Sequence, residues 1–378
     1  MKIGIVSFYD TQQNYGQVLQ CYAMQRFFAA LGHDVFHLRY DDRPTASRLS
    51  KIGKLWDICS HGLFRAYIEN RSAFAKPGKE LGFIRSKSNL NKRGFDSFRE
   101  RHIALTEETY TIDRLKRTPP AVDAWVTGSD QVWGLGASEL FQLQFGPRKA
   151  KKIAYAASMG GFRLTNGYQR HFFGKYLRGF DYISLREQDG VDECRALGFS
   201  EARLVPDPTL LIEAEQYRAI SEKPAIAEGK KYVLLYLLGN PIDVEVDEIA
   251  AWARSKQYEL IYTASQGRED EFAKYDATPQ EWLGLIDHAE GVITNSFHGM
   301  VFSILFNKPF LVIPISGAWS RMNSRLTTTL DELHIDRTHI YAGDPNRVNA
   351  PIDYAAANRI IEEKRAQIRT ELEAVLHR

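Results

Sequence analysis

Cysteine is scarce in this chain. Cys21, Cys59 and Cys194 are the three residues of that type, and their spacing shows no pairs. A disulfide framework and a cysteine-based zinc site are therefore not expected, and a reducing compartment is. Long apolar runs are also missing: none reaches the ~20 residues needed to span a bilayer. The first apolar run, residues 3–8, is cut short by Tyr9-Asp10 and reads as a strand, not as a signal peptide. No Gly-x-Gly-x-x-Gly follows that strand, which argues against a Rossmann oxidoreductase. No nucleic-acid motif, short repeat or low-complexity tract is present. The expectation is a soluble protein of the cytoplasm.

Net charge is small as well, at +2, but it is unevenly spread. Residues 48–101 carry 13 Lys and Arg against 5 Asp and Glu, about +8, which leaves about −6 on the remainder. The same stretch holds Trp56, Phe64, Tyr67, Phe74 and Phe83. It reads either as a solvated basic face or as a surface for a phosphorylated or membrane-held partner. In the second case the protein would sit peripherally at the inner face of the plasma membrane.

A chain of 378 residues is long for a single core, so two domains are expected. Short apolar runs at 3–8, 35–39, 124–127, 153–158 and 182–185 alternate with helical patterns such as 15–31, which ends at Gly32. That alternation predicts βαβ units and a parallel sheet. At Val205-Pro206-Asp207-Pro208 the pattern resets, because two prolines so close break regular structure. Further strands are predicted at 232–238, 259–263, 291–293 and 309–313. Thr278-Pro279-Gln280-Glu281 has the form of a capped helix start, helices are read at 246–255 and 321–333, and a long charged helix ends the chain. The division is residues 1–204 with a basic insertion at about 44–101, then 205–350, then a C-terminal helix in 351–378. The fold class is α/β, with two Rossmann-like domains facing across a cleft.

Four loops after predicted strands concentrate the polar residues. Asn14-Tyr15-Gly16 enters a helix; Asn14 can cap it, and Gly16 lets a ligand approach the backbone. Gly128-Ser129-Asp130-Gln131 follows a buried strand, where Asp130 could equally form an Asx turn. In Ser184-Leu185-Arg186-Glu187 the arginine is placed either for a ligand or for a neighbouring carboxylate. Thr294-Asn295-Ser296-Phe297-His298-Gly299 sets a histidine at a helix start beyond a strand end. Free N–H groups and the helix dipole favour an anion there, and open α/β sheets bind ligands at that edge.

Taken together these loops resemble the polysaccharide pyruvyl transferase family. The resemblance rests on Asn14-Tyr15-Gly16 with Leu19-Gln20 and Tyr22-Ala23-Met24-Gln25, and on Gly128-Ser129-Asp130-Gln131-Val132-Trp133. Tyr155-Ala156-Ala157-Ser158, Ser184-Leu185-Arg186-Glu187, Asp207-Pro208-Thr209-Leu210-Leu211 and Ser296-Phe297-His298-Gly299 add to it, and Phe306-Asn307-Lys308-Pro309-Phe310 and Asn323-Ser324-Arg325 are in keeping. It runs from about residue 3 to about residue 335. Gln17, Cys21, Gly134 and Asn295 depart from the commoner pattern, which bears on the acceptor more than on the family.

The resemblance implies the two-Rossmann-domain layout of the GT-B glycosyltransferases. It also implies phosphoenolpyruvate as donor, used as a co-substrate with no cofactor and no metal. The acceptor would be a sugar of a surface or capsular polysaccharide, free or on a polyprenyl-diphosphate carrier, and the product a cyclic pyruvate ketal. Arg186 and His298 are then expected on the donor, with Ser296, Phe297, Gly299, Arg321 and Arg325 around them. Asn14, Tyr15, Gly16, Ser129, Asp130 and Gln131 are expected on the acceptor, Asp130 as base. Two rivals remain. A nucleotide-sugar glycosyltransferase would need a ribose-binding carboxylate, for which Glu281 and Glu290 are the candidates. A non-catalytic carbohydrate-binding member would have no reason to keep both Arg186 and His298.

Overall fold

The short apolar runs are strands buried on both faces, as parallel strands covered by helices are. The computed structural model describes residues 1–41, 58–68, 93–134, 138–239, 244–265, 267–268 and 270–378. One sheet contains β1 (Lys2–Val6), β2 (Asp34–His37), β3 (Ala124–Thr127), β4 (Lys151–Ala157), β5 (Tyr182–Leu185) and β6 (Arg203–Leu204). The other contains β7 (Tyr232–Leu238), β8 (Glu259–Ser265), β9 (Gly291–Thr294) and β10 (Phe310–Val312). Every strand pairing in both sheets is parallel. The helices of the first unit are α1 (Tyr15–Ala30), α2 (Phe95–His102), α3 (Ile112–Arg117), α4 (Gly167–Leu177) and α5 (Gln188–Ala196). Those that follow are α6 (Ala214–Arg218), α7 (Val246–Ser255), α8 (Pro279–Asp287), α9 (Phe297–Leu305), α10 (Ser324–Glu332) and α11 (Tyr354–Leu376). These are two Rossmann-like α/β domains.

Strand order is what positions the site. The first sheet runs β2-β1-β3-β4-β5-β6 and the second β8-β7-β9-β10. Each sheet therefore changes its direction of growth once, between β1 and β3 and between β7 and β9. Such switch points open a crevice beyond the carboxyl ends of the strands, where open α/β sheets bind ligands. The loops leaving β1, β3 and β9 carry Asn14-Tyr15-Gly16, Gly128-Ser129-Asp130 and Ser296-Phe297-His298.

The two units share one continuous apolar core, with α1 of the first packed on α8 and α9 of the second. Tyr15 stands in the middle of it, fully buried. Its hydroxyl donates to the Ala277 carbonyl at 2.7 Å, and its ring stacks on Trp282 with centroids 5.2 Å apart and planes 5° apart. Such a pair contributes about 0.5–1.5 kcal/mol beyond area burial. α11 straps both units. Its Glu371 accepts from Tyr182 at 2.9 Å and pairs with Arg203 at 2.8 Å. Its Arg365 donates to the carbonyls of Leu210 and Ile212, each at 2.6 Å.

Strands β3, β5 and β7 span the apolar runs 124–127, 182–185 and 232–238. α1 stops just before Gly32, whose φ of 81° closes the helix with a bond to the Ala29 carbonyl. Thr278 and Glu281 make the reciprocal capping box. Elsewhere the structure adds elements: β6 is only two residues long, and α4 has an aromatic, glycine-interrupted sequence without a clean apolar stripe. The helix expected from residue 321 starts at Ser324, after a 3-10 turn over Gly317–Asn323. Most of the basic insertion, with Trp56, Phe74 and Phe83, lies outside the described residues. Within them, Tyr67 packs against Tyr168 at 5.5 Å, while Phe64 is exposed. No described helix is long and apolar enough to cross a membrane.

Candidate active site

The site begins at the end of β9. Thr294 donates its hydroxyl to the Tyr236 carbonyl at 2.6 Å and accepts from the Ser296 amide at 3.0 Å. Asn295 clips the end of β7, accepting from the Leu238 amide at 2.7 Å and donating to its carbonyl at 2.8 Å. Ser296 is thus the N-cap of α9, with its hydroxyl accepting from the Gly299 amide at 3.2 Å. A Cβ at Gly299 would stand 2.7 Å from the Thr294 hydroxyl, so glycine allows α9 to start this close to β9. Every residue of α9 is buried, which explains a helix apolar on all sides. The result fixes Phe297 and His298 at the interdomain boundary.

Asp207 is the hub of the site. It is buried at the linker, capping the 3-10 turn Pro208–Leu210. One carboxylate oxygen accepts from the Thr209 amide at 3.0 Å and the Thr209 hydroxyl at 2.7 Å. The other accepts from Arg186 Nη1 at 2.8 Å and Ser129 Oγ at 3.1 Å, with His298 Nε2 at 3.6 Å. The last distance is a charge contact rather than a hydrogen bond. Burial alone would raise the Asp207 pKa, but His298 and Arg186 hold the carboxyl well below its usual range. Arg186 also donates through Nε to Glu187 at 3.2 Å and lies 4.0 Å from Asp130. Burial opposes its charge; Glu187 and Asp207 overcome that and raise its pKa. A buried cation is tolerable only in this state, paired and hydrogen-bonded.

The first domain closes over these groups through α1. Asn14 caps the helix, its side chain accepting from the Gln17 amide at 3.1 Å. Gln17 donates to Asp130 at 2.7 Å. The Ser129 amide donates to Gln20 at 2.9 Å, and Gln20 donates to Ser7 at 2.7 Å. Asp130 has a left-handed φ of 53°, which aspartate tolerates, and its carbonyl accepts from the Ser158 amide at 3.0 Å. Gly16 faces His298 directly: a Cβ there would be 2.0 Å from the imidazole Nδ1. The glycine thus makes room for the histidine, where the sequence had suggested room for a ligand.

Two guanidinium groups flank one aromatic ring. Arg186 lies 4.6 Å and Arg325 5.5 Å from the centroid of Phe297. Arg325 is buried at the start of α10, and burial and then the neighbouring Arg186 lower its pKa to about 10. Three buried nitrogens around this ring have no hydrogen-bond partner: Arg186 Nη2, Arg325 Nε and His298 Nε2. Unsatisfied buried polar groups of this kind are costly, and two guanidinium nitrogens with an imidazole nitrogen beside them fit an anion with more than one charged group.

Arg186, His298, Asp130, Ser129, Phe297 and Arg325 thus form one cluster. Other expected residues are engaged differently. Tyr15 has its ring in the core and its hydroxyl on Ala277, with no face open to an acceptor. The Asn14 and Ser296 side chains are spent on helix caps. Gln131 lies under Gly160, at which a Cβ would be 2.8 Å from its Oε1. Arg321 is exposed on the 3-10 turn, its main chain against Gly161, without an ion pair to the cluster. Asp207 had been read as a chain breaker and as part of a motif, and Glu187 as a mere neighbour of Arg186. Both belong to the site, and a carboxylate capping a Pro-Thr turn just after a strand was the available signal. Among the described residues no group of three His, Cys, Asp or Glu side chains is placed to hold a metal ion.

A family model described as polysaccharide pyruvyl transferase matches residues 14–317. No curated protein matches the chain. Among solved structures, the UDP-GlcNAc 2-epimerase of Methanocaldococcus jannaschii is 11% identical with a TM-score of 0.48, covering 96% of this chain and 99% of its own. The UDP-GlcNAc 2-epimerase of Neisseria meningitidis bound to UDP-GlcNAc is 11% identical with a TM-score of 0.44, covering 97% and 100%. The glycosyltransferase SsfS6 of Streptomyces sp. SF2575 is 13% identical with a TM-score of 0.37, covering 99% of each chain. Likenesses at this level carry no argument about activity.

Proposed function

The chain belongs to the polysaccharide pyruvyl transferase family, and from that premise we propose that it moves pyruvate from phosphoenolpyruvate onto two hydroxyls of one sugar. The acceptor is a surface or capsular polysaccharide, or its lipid-linked precursor. The product is a cyclic pyruvate ketal, with phosphate released. One observation carries the reading: Arg186 Nη2, Arg325 Nε and His298 Nε2 are buried around Phe297 without hydrogen-bond partners. Phosphoenolpyruvate presents a carboxylate and a phosphate on one small skeleton. Two planar guanidinium groups and an imidazole match that pair of anions.

The chemistry needs a proton at the methylene carbon, a stabilised cationic centre, and a base for each hydroxyl. Arg186 and Arg325 hold the donor anions. His298 binds the same dianion through its imidazole. Asp130 is within reach of Arg186 at 4.0 Å and is oriented by Gln17 at 2.7 Å; we assign it to the first acceptor hydroxyl, as base. A crevice of ≈ 10 Å³, about one water, lies beside Arg186 and Asp207 among the described residues.

The nucleotide-sugar alternative is weakened by its own carboxylates. Glu281 is engaged by the Thr278 amide at 2.8 Å and the Tyr275 hydroxyl at 2.6 Å. Glu290 precedes β9, at the end of the sheet opposite His298. The test is incubation with phosphoenolpyruvate and a panel of glycosides, following phosphate release and the ketal methyl signal by NMR. Stabilisation by a nucleotide sugar, with none by phosphoenolpyruvate, would reverse the assignment. The basic insertion we assign to the diphosphate of the carrier lipid and to the anionic bilayer. Charge reversal there should abolish sedimentation with anionic liposomes; unchanged sedimentation refutes it.

A further inference from the structure

We propose that Glu187 is the proton donor to the methylene carbon of phosphoenolpyruvate, an inference that rests on the pyruvyl-transfer reading above. Its side chain is buried at the entry to α5, next to Arg186. Oε1 is fully engaged, accepting from Ser158 Oγ at 2.6 Å and from Arg186 Nε at 3.2 Å. Oε2 is buried and has no partner. The cluster therefore holds four buried polar atoms without a hydrogen bond: two on guanidinium groups, one on an imidazole and one on a carboxyl group. The cations answer the charges of the donor. Oε1 pairs with Arg186, but the orphaned Oε2 has no such partner and, on an anion, would repel phosphate and carboxylate alike. As a neutral acid it can donate.

The surroundings favour that neutral form. Burial pushes the Glu187 pKa up, and Arg186, Ser158 and Arg325 pull it down only in part. Arg325 approaches from α10, whose first residue, Ser324, lies 3.4 Å from Asp189 of α5. The other charged groups of the cluster are Asp207 and Asp130, each against Arg186, and His298 beyond Asp207. A bound dianion adds negative charge and raises the pKa further.

The step balances. The C2–C3 π pair of the donor takes the Glu187 proton, leaving a carboxylate and a cationic centre at C2. The first acceptor hydroxyl adds its oxygen to C2 and gives its proton to Asp130. Phosphate leaves with the electron pair of its C2–O bond and takes that proton. The second hydroxyl closes the ring at C2, and its proton returns to Glu187.

The experiment uses the full chain in D₂O with phosphoenolpyruvate and the glycoside panel. Deuterium at C3, in recovered donor and in product methyl, is followed by NMR. Donor binding is followed separately by thermal shift with phosphoenolpyruvate alone. Glu187→Gln keeps the shape and the Oε1 contacts, so binding should survive while C3 deuteration falls at least ~100-fold. Ser158→Ala removes one hydrogen bond to the carboxylate, so the Glu187 pKa rises. Loss of rate with rising pH should then set in at higher pH than in the wild type. Glu187→Asp, which keeps the acid, should retain part of the rate and serves if the glutamine variant fails to fold. Wild-type chain that shows no stabilisation by phosphoenolpyruvate overturns the pyruvyl-transfer reading, and this inference with it. Binding without C3 deuteration in the wild type overturns both as well, because every pyruvyl ketal needs that proton; near-normal deuteration in Glu187→Gln, or an unmoved pH limb in Ser158→Ala, overturns the inference alone.

Discussion

Gly16→Ala separates two roles for one glycine. If Gly16 makes room for a ligand, alanine there affects binding and leaves the free protein alone. The structure instead puts a Cβ at this position 2.0, 2.1 and 2.5 Å from Nδ1, Cγ and Cβ of His298. Ordinary contact begins near 3.4 Å, so the ring has to move by about 1.4 Å. Overpacking of this kind costs about 1–3 kcal/mol. Alanine also favours the helix over glycine by up to about 1 kcal/mol, so the net loss in the wild type is about 0–3 kcal/mol. The decisive measurement is a double-mutant cycle with His298→Ala, read from urea midpoints without ligand. Once the imidazole is gone the clash is gone, and Gly16→Ala should become stabilising by up to about 1 kcal/mol. The coupling between the two positions should be about 1–3 kcal/mol. Equal effects of Gly16→Ala in both backgrounds would refute the packing argument. In the single variant His298 is also displaced, and a shift of ~1 Å in a reacting group can cost ~10²-fold in rate.

Other substitutions test the cluster from different sides. Arg186→Ala and His298→Ala should each lower phosphate release by at least ~100-fold; folded single variants with near-normal turnover would remove both from the mechanism. Asp207→Asn should cost on the order of 3–5 kcal/mol at neutral pH, because it removes one of the counter-charges of the buried Arg186. Its pH dependence has a definite sign. The Asp207 pKa is lowered on folding, so its stabilisation is present above the unfolded value near ~3.9 and lost as pH falls through the folded pKa. The asparagine variant should lack that part of the acid transition, measured by circular dichroism from pH 6 downward; an identical acid limb would count against the ion pair. Tyr15→Phe removes the bond to the Ala277 carbonyl and should cost about 1 kcal/mol in urea, with donor binding retained. A loss of phosphoenolpyruvate affinity without loss of stability would return Tyr15 to the substrate.

Much of the fold was legible because the strands are short, apolar and buried on both faces, and because turn chemistry marked their ends. The Thr278-Pro279-Gln280-Glu281 start and the Gly32 stop are local signals, and local signals survive in a bare sequence. Arg186, His298 and Asp130 were legible as polar residues at strand ends. Other features depend on partners far along the chain. Tyr15 carries no mark that separates a core tyrosine from a ligand tyrosine; Ala277 and Trp282, more than 260 residues away, decide it. Gly16 was flagged as a close approach, but its neighbour, His298, lies in the other domain. Asp207 looked like punctuation because its partners, Ser129, Arg186 and His298, come from three separate segments.

That placement of Asp207 has a mechanical consequence. It stands at the passage from the first sheet to the second, between β6 and β7. Ser129 and Arg186 reach it from the first domain, and His298 from the second. The histidine is held on its other side by the first turn of α1, again from the first domain. The two switch points, β1/β3 and β7/β9, therefore do more than offer two adjacent crevices. Their loops interlock around one carboxylate, so the donor-binding cations assume their full arrangement only when the domains are together. Opening far enough to admit a sugar must separate His298 from Gly16 and loosen its contact with Asp207. On the pyruvyl-transfer reading proposed above, closure around donor and acceptor rebuilds the charge cluster for the protonation of the enol carbon.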